Sequence, residues 1–224
     1  MQRTNGEYGK RRGERGFTLV EVLVVLAIIG LLSAALLTRM FKSAREDTAI
    51  NSAKAFILTI GNSLELYQKN PKIGVFPPST IENFSGVTRM DNRTNLGIEA
   101  LVVCLNSPGY EGDRILEKFE GDLVNVDGDS LQKTITVNKA PDLFELKDPW
   151  GNPYAYFNSL DYDTVGVRQY MVDGDGSGAY EPVNVNPHTS AKTKSYFNAS
   201  TFQLFSAGPD RTFNTDDDIG NWSK

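Results

Sequence analysis

The sequence predicts an α+β chain. A long N-terminal helix, transmembrane in its first half and amphipathic in its second, packs on a small antiparallel β-sheet domain. Three observations lead there. Phe17 to Thr38 reads FTLVEVLVVLAIIGLLSAALLT, 22 residues with one charge, long enough to cross a bilayer as a helix. The next stretch, to Lys69, contains no proline and repeats apolar residues every three or four positions. Beyond Pro71 the chain turns to short alternating runs punctuated by glycine, proline and asparagine, the pattern of strands and turns.

The 224 residues suffice for one domain with a real core plus an anchor. Charge is unevenly spread. Residues 1–16 hold five cations (Arg3, Lys10, Arg11, Arg12, Arg15) against Glu7 and Glu14, a net of +3; the whole chain carries −5, so the rest carries −8. An acidic body without a basic patch argues against nucleic-acid binding, which needs clustered Lys and Arg. A single cysteine, Cys104, allows no internal disulfide, and its neighbours LVVCLN predict a small buried residue. The one histidine, His188, lies among Asn, Pro, Ser and Thr without a cysteine or histidine companion, which leaves a zinc site or a histidine-based dyad little support.

The helix is expected over residues 17–69. In its second half Phe41, Ala44, Ala49, Ile50, Ala53, Ile57, Ile60, Leu64 and Tyr67 make one apolar stripe. Asn70-Pro71 is the first strong stop, because proline lacks an amide hydrogen and disfavours helix before it. The domain organisation is therefore a basic leader at 1–16, a membrane half-helix at 17–38, an amphipathic half-helix at 39–70 and a globular part at 71–224.

Glu21 is the anomaly. A carboxylate at the centre of a membrane helix costs on the order of 2.5–3.5 kcal/mol, so it usually marks a partner. An ordinary secretory signal, with Ser33-Ala34-Ala35 as its cleavage site, gives Glu21 no purpose, and neither does a plain single-span anchor. Cleavage between Gly16 and Phe17 would place a new amino terminus about one turn from Glu21. In a bundle of parallel helices, a neighbour's terminal ammonium could then pair with this acid.

RGFTLVEVLVVLAIIGLL, from Arg15, resembles the class III leader junction of the type IV pilin and pseudopilin superfamily. The resemblance implies a pilin-like fold, cleavage after Gly16 by prepilin peptidase and N-methylation of Phe17. It also implies that Glu21 sets subunit register in a helical filament.

In the globular part, Phe76 to Thr80 reads as an extended connector, and Asn95 to Leu105 (NLGIEALVVCL) as a short helix with apolar faces. Leu123 to Val137 alternates loosely around turn signals at Asp127-Gly128-Asp129. Tyr154–Phe157, Arg168–Val172 and Thr201–Phe205 read as strands, and Gly174 to Ser195 mainly as a loop. DPWGNPYAY, 148–156, is similar to a signature of the major pseudopilin of type II secretion, the general secretion pathway protein G family. Its turn formers and its two large apolar side chains, Trp150 and Tyr154, make it a structural turn.

LFSAGPDRTFNTDDDIGNW, 204–222, places Asp210, Asp216, Asp217 and Asp218 within nine residues, beside Arg211. Carboxylates that close repel unless solvated or neutralised, and a hard divalent cation takes six to eight oxygens. The stretch resembles the C-terminal calcium loop of the same family. The resemblance implies a structural calcium held by the side chains of Asp210, Asp217 and Asp218 with oxygens from Ala207 and Thr215, Asp216 facing solvent. A further acidic run, Asp173-Gly-Asp175-Gly-Ser177-Gly178, matches the first half of an EF-hand loop but has Asn184 where a glutamate is needed, so it reads as a glycine-rich turn.

The likeness covers 15–80, 95–105, 148–157 and 202–222, leaving insertions near 106–147 and 170–200. It implies a structural, non-enzymatic subunit of the type II secretion pseudopilus that polymerises through its N-terminal helix to drive protein export. The implied setting is a single-pass inner-membrane protein, N-terminus in the cytoplasm and globular domain in the periplasm. The implied partners are copies of itself in a filament, minor pseudopilins, an inner-membrane assembly platform and prepilin peptidase. One alternative is a type IV pilin for adhesion, motility or DNA uptake, though these usually carry a C-terminal disulfide loop. The other is a secreted calcium-dependent binding module or hydrolase with an ordinary signal peptide.

Overall fold

A computed structural model describes residues 16–84, 87, 92–106, 115–131, 142–163 and 168–223, with side chains omitted at 35, 38 and 115–118. Residues 1–15 of the leader and much of the 106–147 insertion lie outside the described residues. The chain divides into two units, Met1–Arg45 and Glu46–Lys224, and the long helix α1, Leu19–Lys69, runs through both. Its expected end is observed: after Lys69 the amide of Asn70 donates to the Tyr67 carbonyl, and those of Ile73 and Gly74 to the Asn70 carbonyl, closing a turn at Pro71. In the first unit the apolar side chains are solvent-facing, with Phe17, Leu19, Leu23, Leu26 and Leu32 all more than 60% exposed. By length and composition this is the one helix among the described residues able to cross a membrane.

In the second unit α1 buries one stripe, Ala53, Ile57, Ile60, Leu64 and Tyr67, at the spacing of three and four that a helix face demands. Phe56 at the stripe's edge stacks on Tyr154 with ring centroids 5.0 Å apart. The second helix, α2 (Leu96–Asn106), is buried at every position. Ile98, Leu101, Val102, Cys104 and Leu105 join the main core with α1, while Leu96, Ala100 and Val103 join a smaller cluster with Ile81, Leu131 and Leu143. A helix that is apolar all round needs apolar neighbours on all sides, and the two clusters supply them. Cys104 is only 2% exposed, as its neighbours predicted, and burial pushes its thiol up to about 11.

The strands are short and antiparallel. β1 (Leu123–Val124) pairs β2 (Glu145–Leu146); β3 (Ala155–Asn158), β6 (Phe202–Ser206) and β7 (Ile219–Gly220) form a three-stranded sheet in the order β3-β6-β7; β4 (Arg168–Val172) pairs β5 (Glu181–Val185). The helix and three strand expectations hold to within a residue or two. The expectation that 174–195 is mainly loop is corrected at β5. There Val183 and Val185 face Tyr170 and Arg168 in register, and Pro182, which has no amide hydrogen to give, is accommodated because among the described residues β5 has β4 as its only neighbour.

Helix α2 touches β3 through Gly97. A Cβ at Gly97 would lie 2.3 Å from the Tyr156 carbonyl oxygen and 2.7 Å from the Tyr170 hydroxyl. That hydroxyl donates to the Tyr156 carbonyl at 3.1 Å and accepts from the Tyr156 amide at 3.0 Å, so neither neighbour can yield without breaking a buried pair. Gly97→Ala is therefore expected to destabilise the protein by about 3 kcal/mol, at the upper end of overpacking costs. Thermal unfolding of the detergent-solubilised chain checks this; an unchanged melting temperature would show that α2 can move off β3 freely.

Candidate functional site

At the N-terminus, the structure gives Glu21 a local partner that the sequence reading missed. The Thr18 amide and hydroxyl donate to Glu21 Oε2 at 2.7 and 2.8 Å, and the Glu21 amide donates back to Thr18 Oγ1 at 3.2 Å. This is a reciprocal capping box, whose sequence form is Thr-x-x-Glu ahead of an apolar run, and it was legible as TLVE. Gly16 and Phe17 directly precede it, in non-helical backbone.

At the other end, strand β6 delivers the acidic loop. Gly208, at φ +71°, lies so close to the returning chain that a Cβ would stand 2.5 Å from the Asp217 carbonyl oxygen. This close approach brings residues 207–210 alongside 215–218. The Asp210 amide donates to Asp217 Oδ2 at 3.1 Å, the Thr215 hydroxyl donates to Asp217 Oδ1, and the Thr212 amide donates to Asp210 Oδ1 at 2.8 Å. Burial raises the Asp210 carboxyl. Asp217 is lowered: burial works against its charge, but the Thr215 hydroxyl and the Asp210 amide outweigh it.

Of the five residues expected to hold calcium, Asp210, Thr215 and Asp217 thus gather on one side of the loop. Asp218 is buried, its Oδ2 accepting from the Asn214 amide at 2.8 Å and lying 2.7 Å from His188 Nε2, while its Oδ1 has no hydrogen-bond partner. Ala207 is fully buried at the start of the loop, and Asp216 is exposed. An all-oxygen donor set of this kind fits a hard divalent cation and not a soft one. The orphaned Asp218 oxygen is the atom that such an ion would answer.

His188 is structural in its surroundings. Its ring packs 4.8 Å from both Phe205 and Trp222, and its backbone exchanges hydrogen bonds with the Gln203 side chain. The groups that meet its ring, on Phe205, Asp218 and Trp222, lie 17 to 34 residues away, beyond any local motif. The acidic run at Asp173 is a turn closed on itself, as read: the Ser177 amide donates to Asp175 Oδ1 and the Gly178 amide to Asp173 Oδ2. The Arg211 guanidinium lies 3.5 Å from Asp173 Oδ2, on the ground a cation would take.

The DPWGNPY turn is likewise structural. Asp148 Oδ1 accepts the amides of Trp150 and Asn152 at 2.9 Å each, and Oδ2 accepts the Ser206 hydroxyl at 2.6 Å, tying the turn to the end of β6. Burial pushes the Asp148 carboxyl up to about 6, against the Ser206 hydroxyl and the turn's own amides, which pull it down.

The first class assignment comes from the N-terminus: residues 11–37 match the family model of the prokaryotic N-terminal methylation motif. Over the longer chain it is similar to type II secretion system core protein G of Pseudomonas aeruginosa, 30% identical over 66% of this chain and 75% of that one. The protein of the same description from Vibrio cholerae is 27% identical over 75% of this chain and 88% of its own, and that from Escherichia coli 24% identical over 93% and 91%. No solved structure matches it. The chain belongs to the type II secretion system core protein G family and is a structural pseudopilin.

Replacing Asp148 by Ala strands the buried Asn152 amide, the half-buried Trp150 amide and the buried Ser206 hydroxyl, and should cost about 3 kcal/mol or more. Asp148→Asn keeps one acceptor oxygen and costs less. Because the folded Asp148 holds its proton to about pH 6, well above an exposed aspartate, its contribution to stability is present at low pH and lost as pH rises through about 6. Thermal unfolding across pH 3–7 should show wild type losing stability relative to Asp148→Asn as pH rises; parallel curves would remove Asp148 as the titrating group.

Proposed function

We propose that this chain is made with its basic leader in the cytoplasm and its globular unit in the periplasm, anchored in the inner membrane by the first half of α1. Prepilin peptidase cleaves between Gly16 and Phe17 and Phe17 is N-methylated. The mature chain then leaves the membrane for a periplasmic filament of its own copies, on an inner-membrane platform and with minor pseudopilins, that drives export. Its role is structural, with no bond made or broken by its own side chains, a reading that membership of a pseudopilin family supports.

The observation that carries this is the solvent-facing apolar half of α1 with a single carboxylate in its first turn. Such a surface is stable only in lipid or against like helices. Thr18 satisfies Glu21 within the chain, which lowers the cost of holding the acid in the membrane. In the filament a neighbour's methylated terminal ammonium pairs with it and sets the register. Glu21 so acts in both settings, first as a helix cap and then as a charge partner.

Calcium, in this reading, binds Asp210, Asp217 and Asp218 with oxygens from Ala207 and Thr215. It neutralises carboxylates that the loop holds together and fixes that loop in one conformation.

The intact mass of the protein from its native membrane tests the processing: a start at Phe17 plus one methyl group is expected. A start near Leu36 would mean an ordinary signal peptide and would overturn the filament reading. For the loop, Asp217→Ala should lower the melting temperature measured in calcium, reduce filament yield, and shrink the difference between calcium and chelator relative to wild type. An equal calcium-dependent shift in both proteins would remove calcium from this loop.

A further inference from the structure

Below α2 lies an acidic cluster unrelated to the C-terminal loop. Glu99 projects from α2, Asp127 from the turn after β1, and Glu145 from β2. One carboxylate oxygen from each lies within 4.8 Å of the others, the only such trio of potential ligands among the described residues. Glu99 and Glu145 are fully buried.

Two of the three acids are held in place by donors. Glu145 accepts the Asn95 side-chain amide at 3.0 Å and the Val126 amide at 3.2 Å; Asp127 Oδ2 accepts the Thr94 hydroxyl at 2.6 Å and Asn95 Nδ2 at 3.2 Å. Asn95 is itself fixed, its amide donating to the Gln169 carbonyl and its Oδ1 accepting the Met171 amide. Glu99 differs: neither of its carboxylate oxygens has a hydrogen-bond partner, although the residue has no exposed surface. The charges acting on it are all negative, those of Asp129, Glu145 and Asp127.

We propose that Glu99, Asp127 and Glu145 bind a divalent cation, calcium by preference, at a site distinct from the C-terminal loop. A buried carboxylate with both oxygens unpaired, facing two further carboxylates, needs a counter-charge, and among the described residues no cation acts on it. Three oxygens that all lie within 4.8 Å of one another can share one calcium, across which ligand oxygens stand up to about 4.8 Å apart, twice a bond of about 2.4 Å. Magnesium dehydrates reluctantly and demands a near-ideal octahedron that keeps several waters, which suits a buried three-carboxylate cluster less than calcium's flexible shell, and zinc prefers nitrogen and sulfur ligands that the trio does not offer. The ion ties three elements distant in sequence, α2, the β1 turn and β2, into one support beneath the helix. The competing state is a cation-free cluster that stays protonated. Burial, then the Asp127 charge, pushes the Glu145 carboxyl up to about 9, so that state is chemically accessible and the experiment must separate the two.

The test is equilibrium dialysis of the full-length, detergent-solubilised, chelator-stripped chain against calcium near neutral pH. The proteins compared are wild type, the Glu99→Gln/Glu145→Gln pair and the Asp210→Asn/Asp217→Asn pair. The glutamine variant should bind one calcium fewer than wild type. The C-terminal variant should retain one calcium and a calcium-dependent rise in melting temperature. If the C-terminal loop binds nothing, wild type and the C-terminal variant each bind one and the glutamine variant none, which leaves this inference standing. If the glutamine variant does not fold, the C-terminal variant decides alone. A glutamine variant that matches wild type in bound calcium, or a C-terminal variant that binds none, overturns the site in favour of the protonated cluster.

Discussion

Helix α2 has no solvent side, and much of the globular unit is arranged around that condition. Its ten or so side chains fill two apolar clusters at once, its glycine presses against the β3 backbone, and its single acid is enclosed with no outlet to water. Burying Ile98, Leu101, Val102 and Leu105 is worth about 1.5–3 kcal/mol each in transfer free energy. That gain is what permits the fold to keep Glu99 underneath. The Tyr156–Tyr170 backbone–hydroxyl pairing and the Asn95 hub are the polar counterparts, each occupying donors and acceptors that the close packing would otherwise strand.

The two ends of the chain are built on different physics. The N-terminal half of α1 works through what it leaves unsatisfied, an apolar surface that only lipid or another such helix can cover. The C-terminal loop works through closure: Gly208 admits the Asp217 backbone, and a ring of amide and hydroxyl donors positions the carboxylates. Between them, the Asp148 turn fastens the end of β6 to the segment before β3, so the acidic loop starts from a fixed point.

Periodicity made α1, α2, β3, β4 and β6 legible, because each buries a regular stripe or run of side chains. The end of α1 was legible from one proline. Strand β5 was not: Pro182 and Asn184 interrupt the alternation, and its pairing comes from β4 rather than from its own composition. Among site residues, the C-terminal acids stood out because they are adjacent in sequence. Glu99, Asp127 and Glu145 did not, since 46 residues separate the first from the last and each alone looks like a helix or turn residue. The TLVE cap was legible but was passed over in favour of a partner between chains.

Cys104 turns the burial of α2 into something that can be timed. The sole thiol of the chain sits in that helix at 2% exposure, with its ionisation suppressed by its surroundings. A thiol reagent can reach it only while the helix is transiently displaced. The ratio of its modification rate to that of an unstructured thiol, under conditions of rapid reclosing, equals the fraction of molecules open at that instant. The protein therefore carries a built-in clock for the breathing of its most enclosed element, readable without adding a label or altering a residue.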